Sequence, residues 1–176
     1  MKTSIKLQEY ASTIMQALPH GILLNSKADT FDTMVIGWGG LGINWSLPVF
    51  TVYVREGRWT RCQIDANPAF TISVPLQGAD ARITKICGTA SGRDIDKVKK
   101  AGLELEEART NGVPGIRQYP LTLECRVLYR EKQDLQKYPP QVMDFYPQNV
   151  PGENCGANRD VHITYIGEIV DAYLIK

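Results

Sequence analysis

The chain has 176 residues, 43% of them hydrophobic and 22% charged, a composition typical of one ordinary globular domain rather than a disordered or collagen-like protein. Twenty Lys and Arg residues against nineteen Asp and Glu residues give a formal net charge of +1, which argues against nucleic acid as a partner. The sequence has no apolar run of about 20 residues and no secretory signal, so we expect a cytoplasmic, non-membrane protein in which residues 1–176 form a single domain.

The cysteines lie far apart in the sequence and form no C-x-x-C motif: Cys62, Cys87, Cys125 and Cys155. Only His20 and His162 are available as further soft ligands. This spacing does not favour a zinc or iron–sulfur site, and we therefore predict no metal. Reduced, mostly buried thiols are the expectation.

The first predicted element is a helix over Ile5–Leu18, where apolar residues recur every three or four positions until Pro19. Short segments rich in β-branched and aromatic residues then predict six strands: Gly21–Asn25, Thr33–Ile36, Val49–Val54, Phe70–Val74, Leu121–Tyr129 and His162–Val170. In the third and fourth of these, large apolar residues alternate with smaller or polar ones, as in strands with one buried face.

Two helices are predicted between the strands, over Thr60–Asn67 and Asp94–Ala101. Strands and long helices do not alternate regularly, which disfavours a doubly wound parallel sheet and favours an antiparallel barrel or sandwich. Residues 138–158, rich in Pro, Gly, Asn and Gln, predict a long functional or interface loop.

The segment Gly37–Gly42 matches the letters of the dinucleotide motif G-x-G-x-x-G. That motif requires a helix whose free N–H groups hold the pyrophosphate. Pro48 and a strand follow here instead, so we reject the motif. The glycines indicate either a close approach of the backbone to a flat or bulky group, or a tight hairpin packed against Trp38 and Trp45.

Two clusters have the composition of an anion site. Arg55, Arg58 and Thr60 lie between a strand and a helix start, where guanidinium groups, a hydroxyl and free helical N–H groups favour a phosphate. Residues Cys87–Asp94 place small and hydroxyl residues ahead of the next predicted helix. The first cluster is also compatible with a solvated surface turn. The second could be another wall of the same phosphate pocket or a capped turn.

Five motifs in order resemble the flavin reductase-like family with the FMN-binding split barrel, especially its flavoredoxin-like branch. They are T-M-V-I-G-W-G from Thr33, P-V-F-T-V-Y-V-R with R-W-T from Pro48, N-P-A-F-T-I-S from Asn67, S-G-R-D with Lys97, and the stretch from His162 to Val170. Trp59 departs from the tyrosine commoner in the family, and Tyr138–Pro147 follows the family pattern only loosely.

The resemblance implies a mainly β, Greek-key-like split β-barrel with short flanking helices, binding FMN non-covalently in a homodimer. Its implied ring-lining residues are Thr33, Met34, Val35, Ile36 and Trp38. Its implied phosphate ligands are Arg55, Arg58 and Thr60, with Ser91, Gly92 and Lys97 as further neighbours, while Ser73 would approach the flavin. His162 matches a histidine near the active face, and a purely structural role for it stays open.

Three functions are compatible with these patterns. The first is an FMN-dependent reductase that passes hydride from NADH or NADPH to a flavin or another acceptor, which needs no catalytic dyad because FMN performs the chemistry. The second is an FMN electron carrier of flavoredoxin type, reduced by a partner protein. The third is a flavin-free barrel that binds another ligand. The sequence leaves open the choice between FMN and FAD.

Overall fold

The computed structural model describes residues 1–149 and 159–176. The ten strands β1 to β10 are Lys2–Ser4, Ile22–Lys27, Phe31–Ile36, Gly39–Asn44, Leu47–Arg55, Ala69–Val74, Leu105–Glu106, Gly115–Ile116, Leu121–Lys132 and His162–Ile175. The helices α1 to α5 are Ala11–Ala17, Trp59–Ala66, Ala81–Thr89, Lys97–Ala101 and Pro140–Met143. Short 3₁₀ turns cover Leu7–Tyr10, Leu18–His20 and Leu135–Lys137.

One antiparallel sheet dominates the fold, with the strand order β3-β2-β6-β9-β10-β5-β4 and with β1 added beside β10. The sheet curls until β3 contacts β5, to which it is not hydrogen-bonded within the described chain. A closed barrel would have a ladder at that point, and here a cleft separates the two strands. The predicted mainly β split barrel is therefore confirmed.

The barrel interior is filled by large apolar side chains from every long strand. Phe50, Val52 and Val54 of β5 are fully buried, while Thr51 and Tyr53 between them are half-buried. This alternation confirms the predicted one-sided strand. Phe70 of β6 packs so closely that a Cβ on Gly167 of β10 would lie 2.7 Å from its ring, which explains the glycine there.

A second apolar cluster lies on the outer face of the sheet, under α3 and α4. It contains Leu23, Ile83, Cys87, Ala101, Leu103, Ile116 and Tyr119. Because the 111–116 segment also covers this face, β6 is buried on both sides. The prediction of a single buried face is therefore wrong for β6.

The helices depart from the sequence expectation in three places. The segment predicted as one helix over Ile5–Leu18 is α1 flanked by two 3₁₀ turns. Helix α4 begins at Lys97 rather than Asp94, because Asp96 accepts a bond from the Lys99 N–H and caps it. Helix α3 was not predicted, so Cys87–Thr89 is the end of a helix and not a loop that precedes one.

The glycine-rich segment leads into a β-hairpin and not into a helix. Strands β4 and β5 pair from Gly39 opposite Val52 to Asn44 opposite Leu47. Trp45 and Ser46 form the two-residue turn with φ of 50° and 60°, as a type I′ turn requires. The rejection of the dinucleotide motif and the tight hairpin are both confirmed, although Trp45 lies in the turn itself.

The remaining sequence expectations concern the loop and the cysteines. Helix α5 lies in the predicted 138–158 loop, and residues 150–158 with Cys155 fall outside the described residues. Cys62, Cys87 and Cys125 are free thiols. In the described ranges, no helix is both long and apolar enough to cross a membrane.

Candidate functional site

The cleft between β3 and β5 contains two adjoining cavities. The larger, which we call the basic lobe, has a volume of about 350 Å³ and lies between α2, the end of α3 and the 89–94 segment. The smaller, the aromatic lobe, has a volume of about 190 Å³ and lies along β3 to Trp38, facing β5 and His162. Met34, Arg55 and Arg58 line both lobes, so the two cavities form one continuous site.

The basic lobe collects charged groups from four parts of the chain. Its basic side chains are Arg55, Arg58, Arg93 and Lys97, and its acidic ones are Asp32, Asp94 and Asp160. Arg58 donates from Nη2 to the Gly88 carbonyl oxygen over 3.2 Å, which ties the start of α2 to the end of α3. Forked guanidinium donors on a half-buried wall suit a phosphate group.

The first turn of α2 contributes to the same wall. Its N-cap residue, Arg58, has extended backbone and makes no side-chain capping bond within the described chain. Trp59 and Thr60, the first helical residues, line the basic lobe. Their N–H groups have no intrahelical partner in an α-helix, so they are available to an anion together with the positive end of the helix dipole.

A buried ion pair forms the floor of the basic lobe. Lys97 Nζ lies 2.9 Å from Asp32 Oδ1 and donates over 2.7 Å to the Thr33 carbonyl oxygen. Thr60 Oγ1 donates over 2.8 Å to Asp32 Oδ2. Thr60, a predicted phosphate ligand, and Lys97, a predicted phosphate neighbour, both line the basic lobe, and the side chains of both are buried and bound to Asp32.

The 89–94 segment forms the opposite wall at close range. A Cβ on Gly92 would overlap the Asp32 carboxylate and lie 2.9 Å from Trp59, so only glycine allows this approach. Ser91, next to it, lines the lobe and accepts a bond from the Arg93 N–H over 3.2 Å. Arg93 stacks on Trp59 with 4.9 Å between the guanidinium carbon and the ring centroid.

The aromatic lobe brings together Met34, Ile36 and Trp38 with residues of two other strands. Trp38 packs against the His162 ring with 5.1 Å between centroids, and Tyr146 and Phe145 meet it edge-on at 6.4 Å and 5.8 Å. Trp38 remains 39% exposed, so part of its ring surface faces the solvent. This lobe is shaped for the edge or face of a planar ligand.

Three of the predicted site residues have side chains that do not point into the cleft: Thr33, Ser73 and Val35. The Thr33 hydroxyl donates over 2.7 Å to Asn25 Oδ1, and Asn25 Nδ2 donates over 2.9 Å to Ser73 Oγ. Ser73 also accepts a bond from the Ile116 N–H, on the outer face of the sheet. Val35 lines the aromatic lobe, but its side chain packs on the outer cluster beside Gly88.

His162 begins β10 directly opposite Arg55 of β5 and is 5% exposed. Its Nδ1 lies 3.1 Å from the Tyr146 hydroxyl. The pKa of His162 is lowered from 6.5 to about 4, first by burial and then by the nearby Arg55 and Arg58 charges, whose effect exceeds the opposing effect of Asp160. His162 is therefore a neutral imidazole near pH 7.

This lowered pKa predicts that acid destabilises the fold. Between pH 6.5 and about 4 the unfolded chain binds a proton at His162 that the folded chain does not, so stability is lost as the pH falls. Replacing His162 by Gln should reduce that loss by about 3 kcal/mol, measured by urea unfolding across this pH range. The same substitution at exposed His20 is the matched control, and an unchanged pH dependence in His162→Gln would contradict the prediction.

Sequence reasoning missed several residues in and around the cleft, among them Asp32, Arg93, Asp160 and Tyr146. Asp32 immediately precedes the predicted strand, so the alternation of side chains along a strand could have indicated it. Arg93 lies in the S-G-R-D motif, and its charge could have indicated it. Tyr146 and Asp160 come from the far end of the chain and meet the cleft only through tertiary packing. In the described ranges, no cluster of three or more His, Cys, Asp or Glu residues is arranged to hold a metal.

Comparison with known proteins places this cleft in a family context. The model of the flavin reductase like domain matches residues 15–176. Among curated proteins, the uncharacterized protein YddH of Escherichia coli K12 is 33% identical over 91 residues, which is 48% of this chain and 48% of YddH. The matched part thus spans about half of that relative.

Solved structures share the fold over nearly the whole chain. The FMN-binding domain of a flavin reductases-like enzyme from Shewanella baltica has a TM-score of 0.68 and 18% identity, covering 99% of this chain and 77% of that one. Flavoredoxin from Methanosarcina acetivorans has a TM-score of 0.62 and 23% identity, and the match covers 89% of this chain and 68% of the flavoredoxin chain. An NADH:FAD oxidoreductase from Streptomyces globisporus has a TM-score of 0.60 and 13% identity, and the match covers 89% of this chain and 74% of the oxidoreductase chain.

Proposed function

Because the chain belongs to the flavin reductase like domain family, we propose that it binds FMN in the cleft and acts as an oxidoreductase that accepts hydride from NADH or NADPH. The observation that carries the proposal is the direct connection of the basic lobe to the aromatic lobe through Met34, Arg55 and Arg58. A ligand with a phosphate at one end and a flat ring system at the other would need two such connected lobes.

The residues present fit FMN. Arg55 and Arg58 would hold the phosphate with the first turn of α2, while Gly92 leaves the 89–94 backbone close enough to close the pocket. Met34, Ile36 and Trp38 would lie along the ring. Thr60 and Lys97 would act on the site through their bonds to Asp32, and the side chains of Thr33 and Ser73 would contribute through the hydrogen bonds that stabilise β3 and β6.

When bound, FMN supplies the hydride and electron transfer. The protein supplies binding energy, orientation and positive charge. Arg55 and Arg58 line the boundary between the lobes, where they would favour negative charge on a ligand. His162 offers a neutral imidazole beside Trp38, suited to hydrogen bonding.

The nicotinamide dependence is supported by the fold shared with the Streptomyces globisporus NADH:FAD oxidoreductase. The second candidate, an electron carrier reduced by a partner protein, is supported by the similarity to flavoredoxin and by the exposed edge of Trp38. Both candidates require a bound flavin, and they differ in whether a nicotinamide reaches it.

Absorbance spectroscopy separates the candidates. We expect the purified chain, after incubation with FMN and gel filtration, to retain the flavin bands, and anaerobic addition of NADH or NADPH to bleach them. Retained flavin that neither nucleotide bleaches, but that dithionite does, would favour the electron carrier. A chain that takes up no FMN would overturn both and leave the flavin-free binding protein.

The homodimer is also a proposal. The tip of the β4–β5 hairpin exposes Ile43 at 75% and Trp45 at 54%, an apolar surface suited to a second copy of the chain. Sedimentation velocity at micromolar concentration tests it, and a monomer would contradict it. The cytoplasmic location and the single-domain organisation of residues 1–176 stay predictions.

A further inference from the structure

A chain of hydrogen bonds connects His162 to a residue that the proposed chemistry does not use. The Tyr146 hydroxyl lies 3.1 Å from His162 Nδ1 and 3.3 Å from Gln133 Oε1. Tyr146 is only 4% exposed, and its ring meets the His162 ring edge-on with 5.6 Å between centroids. The hydroxyl is thus held between the histidine and the amide.

This arrangement selects one form of the imidazole. A tyrosine hydroxyl has a single proton, which in this structure goes to the Gln133 carbonyl oxygen, and Tyr138 is a further hydrogen-bonding neighbour of the same hydroxyl. With the proton directed to Gln133, the hydroxyl oxygen accepts a bond from His162, whose Nδ1 then carries a proton. In neutral histidine the other nitrogen, Nε2, is then an acceptor.

Hydrogen bonds join the segment that carries Tyr146 to Arg159, which lies shortly before β10. Gln148 Nε2 donates to the Tyr146 carbonyl oxygen over 3.0 Å and to the Arg159 carbonyl oxygen over 3.1 Å. The Tyr146 N–H itself donates to the Met143 carbonyl oxygen over 2.9 Å, at the end of α5. These bonds hold the phenol beside the first residue of β10.

Burial, together with the charges around the imidazole, lowers the pKa of His162 and keeps it neutral near pH 7. Arg55 on β5 and Arg58 at the start of α2 oppose a proton on His162, and Asp160 favours one more weakly. Among the described residues, Nε2 has no hydrogen-bond partner, and His162 lines the aromatic lobe. Within residues 1–149 and 159–176, this acceptor has no partner, and its residue borders the place where the ring ligand would lie.

We propose that Tyr146 is a positioning residue that holds His162 in its Nδ1-protonated tautomer, so that Nε2 accepts a hydrogen bond from an N–H or O–H group of the redox ligand in the aromatic lobe. The tautomer follows from residues of this chain alone. Its use by a ligand rests on the proposed function. A nicotinamide carboxamide and the N–H or O–H of another substrate present the same donor chemistry.

Nitrogen-15 NMR of the ligand-free chain tests the tautomer directly. The chain has only two histidines, so long-range proton–nitrogen spectra resolve His162 with His20 as a reference. At pH 7 we expect His162 to be neutral with a protonated Nδ1. Tyr146→Phe should convert it to a mixture of tautomers or to the Nε2-protonated form, and so should Gln133→Met, which keeps the tyrosine if the first variant does not fold.

The matched control is Tyr129→Phe, which removes the hydroxyl of an exposed tyrosine on β9 and should leave the His162 signals unchanged. An Nε2-protonated His162 in the wild type would overturn the proposal. So would His162 signals that do not change in either Tyr146→Phe or Gln133→Met.

A second measurement addresses the ligand. In the FMN-loaded chain, Tyr146→Phe should raise the KM for the nicotinamide about 2- to 10-fold, the loss of one hydrogen bond, with the Kd for FMN unchanged. An unchanged KM with an altered tautomer would contradict the role toward the ligand. Failure of the proposed function is distinguishable, because then the wild type itself would take up no FMN or remain oxidised with both nucleotides.

Discussion

Replacing both Arg55 and Arg58 by alanine is expected to weaken FMN binding by about 3 to 6 kcal/mol, since a charge-assisted hydrogen bond contributes roughly 1.5 to 3 kcal/mol. Both side chains line the basic lobe at the start of α2, and in the half-buried cleft their charge is less screened than at an open surface. Quenching of flavin fluorescence during titration with the double variant measures the Kd directly.

Riboflavin, which lacks the phosphate, is the internal control for this experiment. The double variant should lose most of the difference in affinity between FMN and riboflavin while still binding riboflavin. The matched protein control is Arg126→Ala, which removes an exposed arginine paired with Glu168 on the barrel wall and should bind FMN as the wild type does. If the double variant bound FMN and riboflavin with equally reduced affinity, the arginines would contact the ring and not the phosphate. If its affinity for FMN were unchanged, the phosphate would not bind in the basic lobe.

Replacing Asp32 by alanine is expected to destabilise the fold by about 3 to 5 kcal/mol, because it leaves a buried charge without its partner. The Lys97 side chain is 5% exposed and its Nζ lies 2.9 Å from Asp32 Oδ1. The substitution also removes the acceptor of the Thr60 hydroxyl, at the first turn of α2. Urea unfolding followed by tryptophan fluorescence gives the free energy of unfolding.

The double variant Asp32→Leu/Lys97→Met distinguishes the buried charge from a general loss of packing. Because it removes both charges and keeps apolar volume, it should be markedly more stable than Asp32→Ala. Asp134→Ala, at an exposed surface pair with Lys137, is the matched control and should cost far less. A loss within about 0.5 kcal/mol in Asp32→Ala would mean that Lys97 reaches solvent or another acceptor.

Strand alternation explains the three site predictions whose side chains do not point into the cleft. Along β3, Asp32, Met34 and Ile36 face the cleft or the barrel interior, whereas Thr33 and Val35 face the helices. The resemblance named the continuous run from Thr33, but side chains on a strand point alternately to opposite faces. Ser73 fails for the same reason, since it lies on the outer face of β6.

Local signals were available for one element that was missed. Asp80 accepts bonds from the Arg82 and Ile83 N–H groups and starts α3, and Ile83, Ile86 and Cys87 follow at helical spacing. The small residues after Cys87 were instead interpreted as a loop before a helix. By contrast, the β4–β5 hairpin was among the interpretations of the preceding glycines, but its turn residues, Trp45 and Ser46, are non-glycine residues with positive φ and gave no local signal of their own.

The sequence by itself determined the mainly antiparallel architecture, the strand-to-helix junction that carries Arg55 and Arg58, and the family, because these depend on local patterns of apolar residues and on short motifs. Only the tertiary structure decided that Lys97 neutralises Asp32 at the floor of the basic lobe, and that Tyr146 contacts His162. Asp32 and Lys97 are far apart in the chain. Such contacts form only when the sheet curls and brings distant segments together, and the burial that then sets their energies is not encoded in any local pattern.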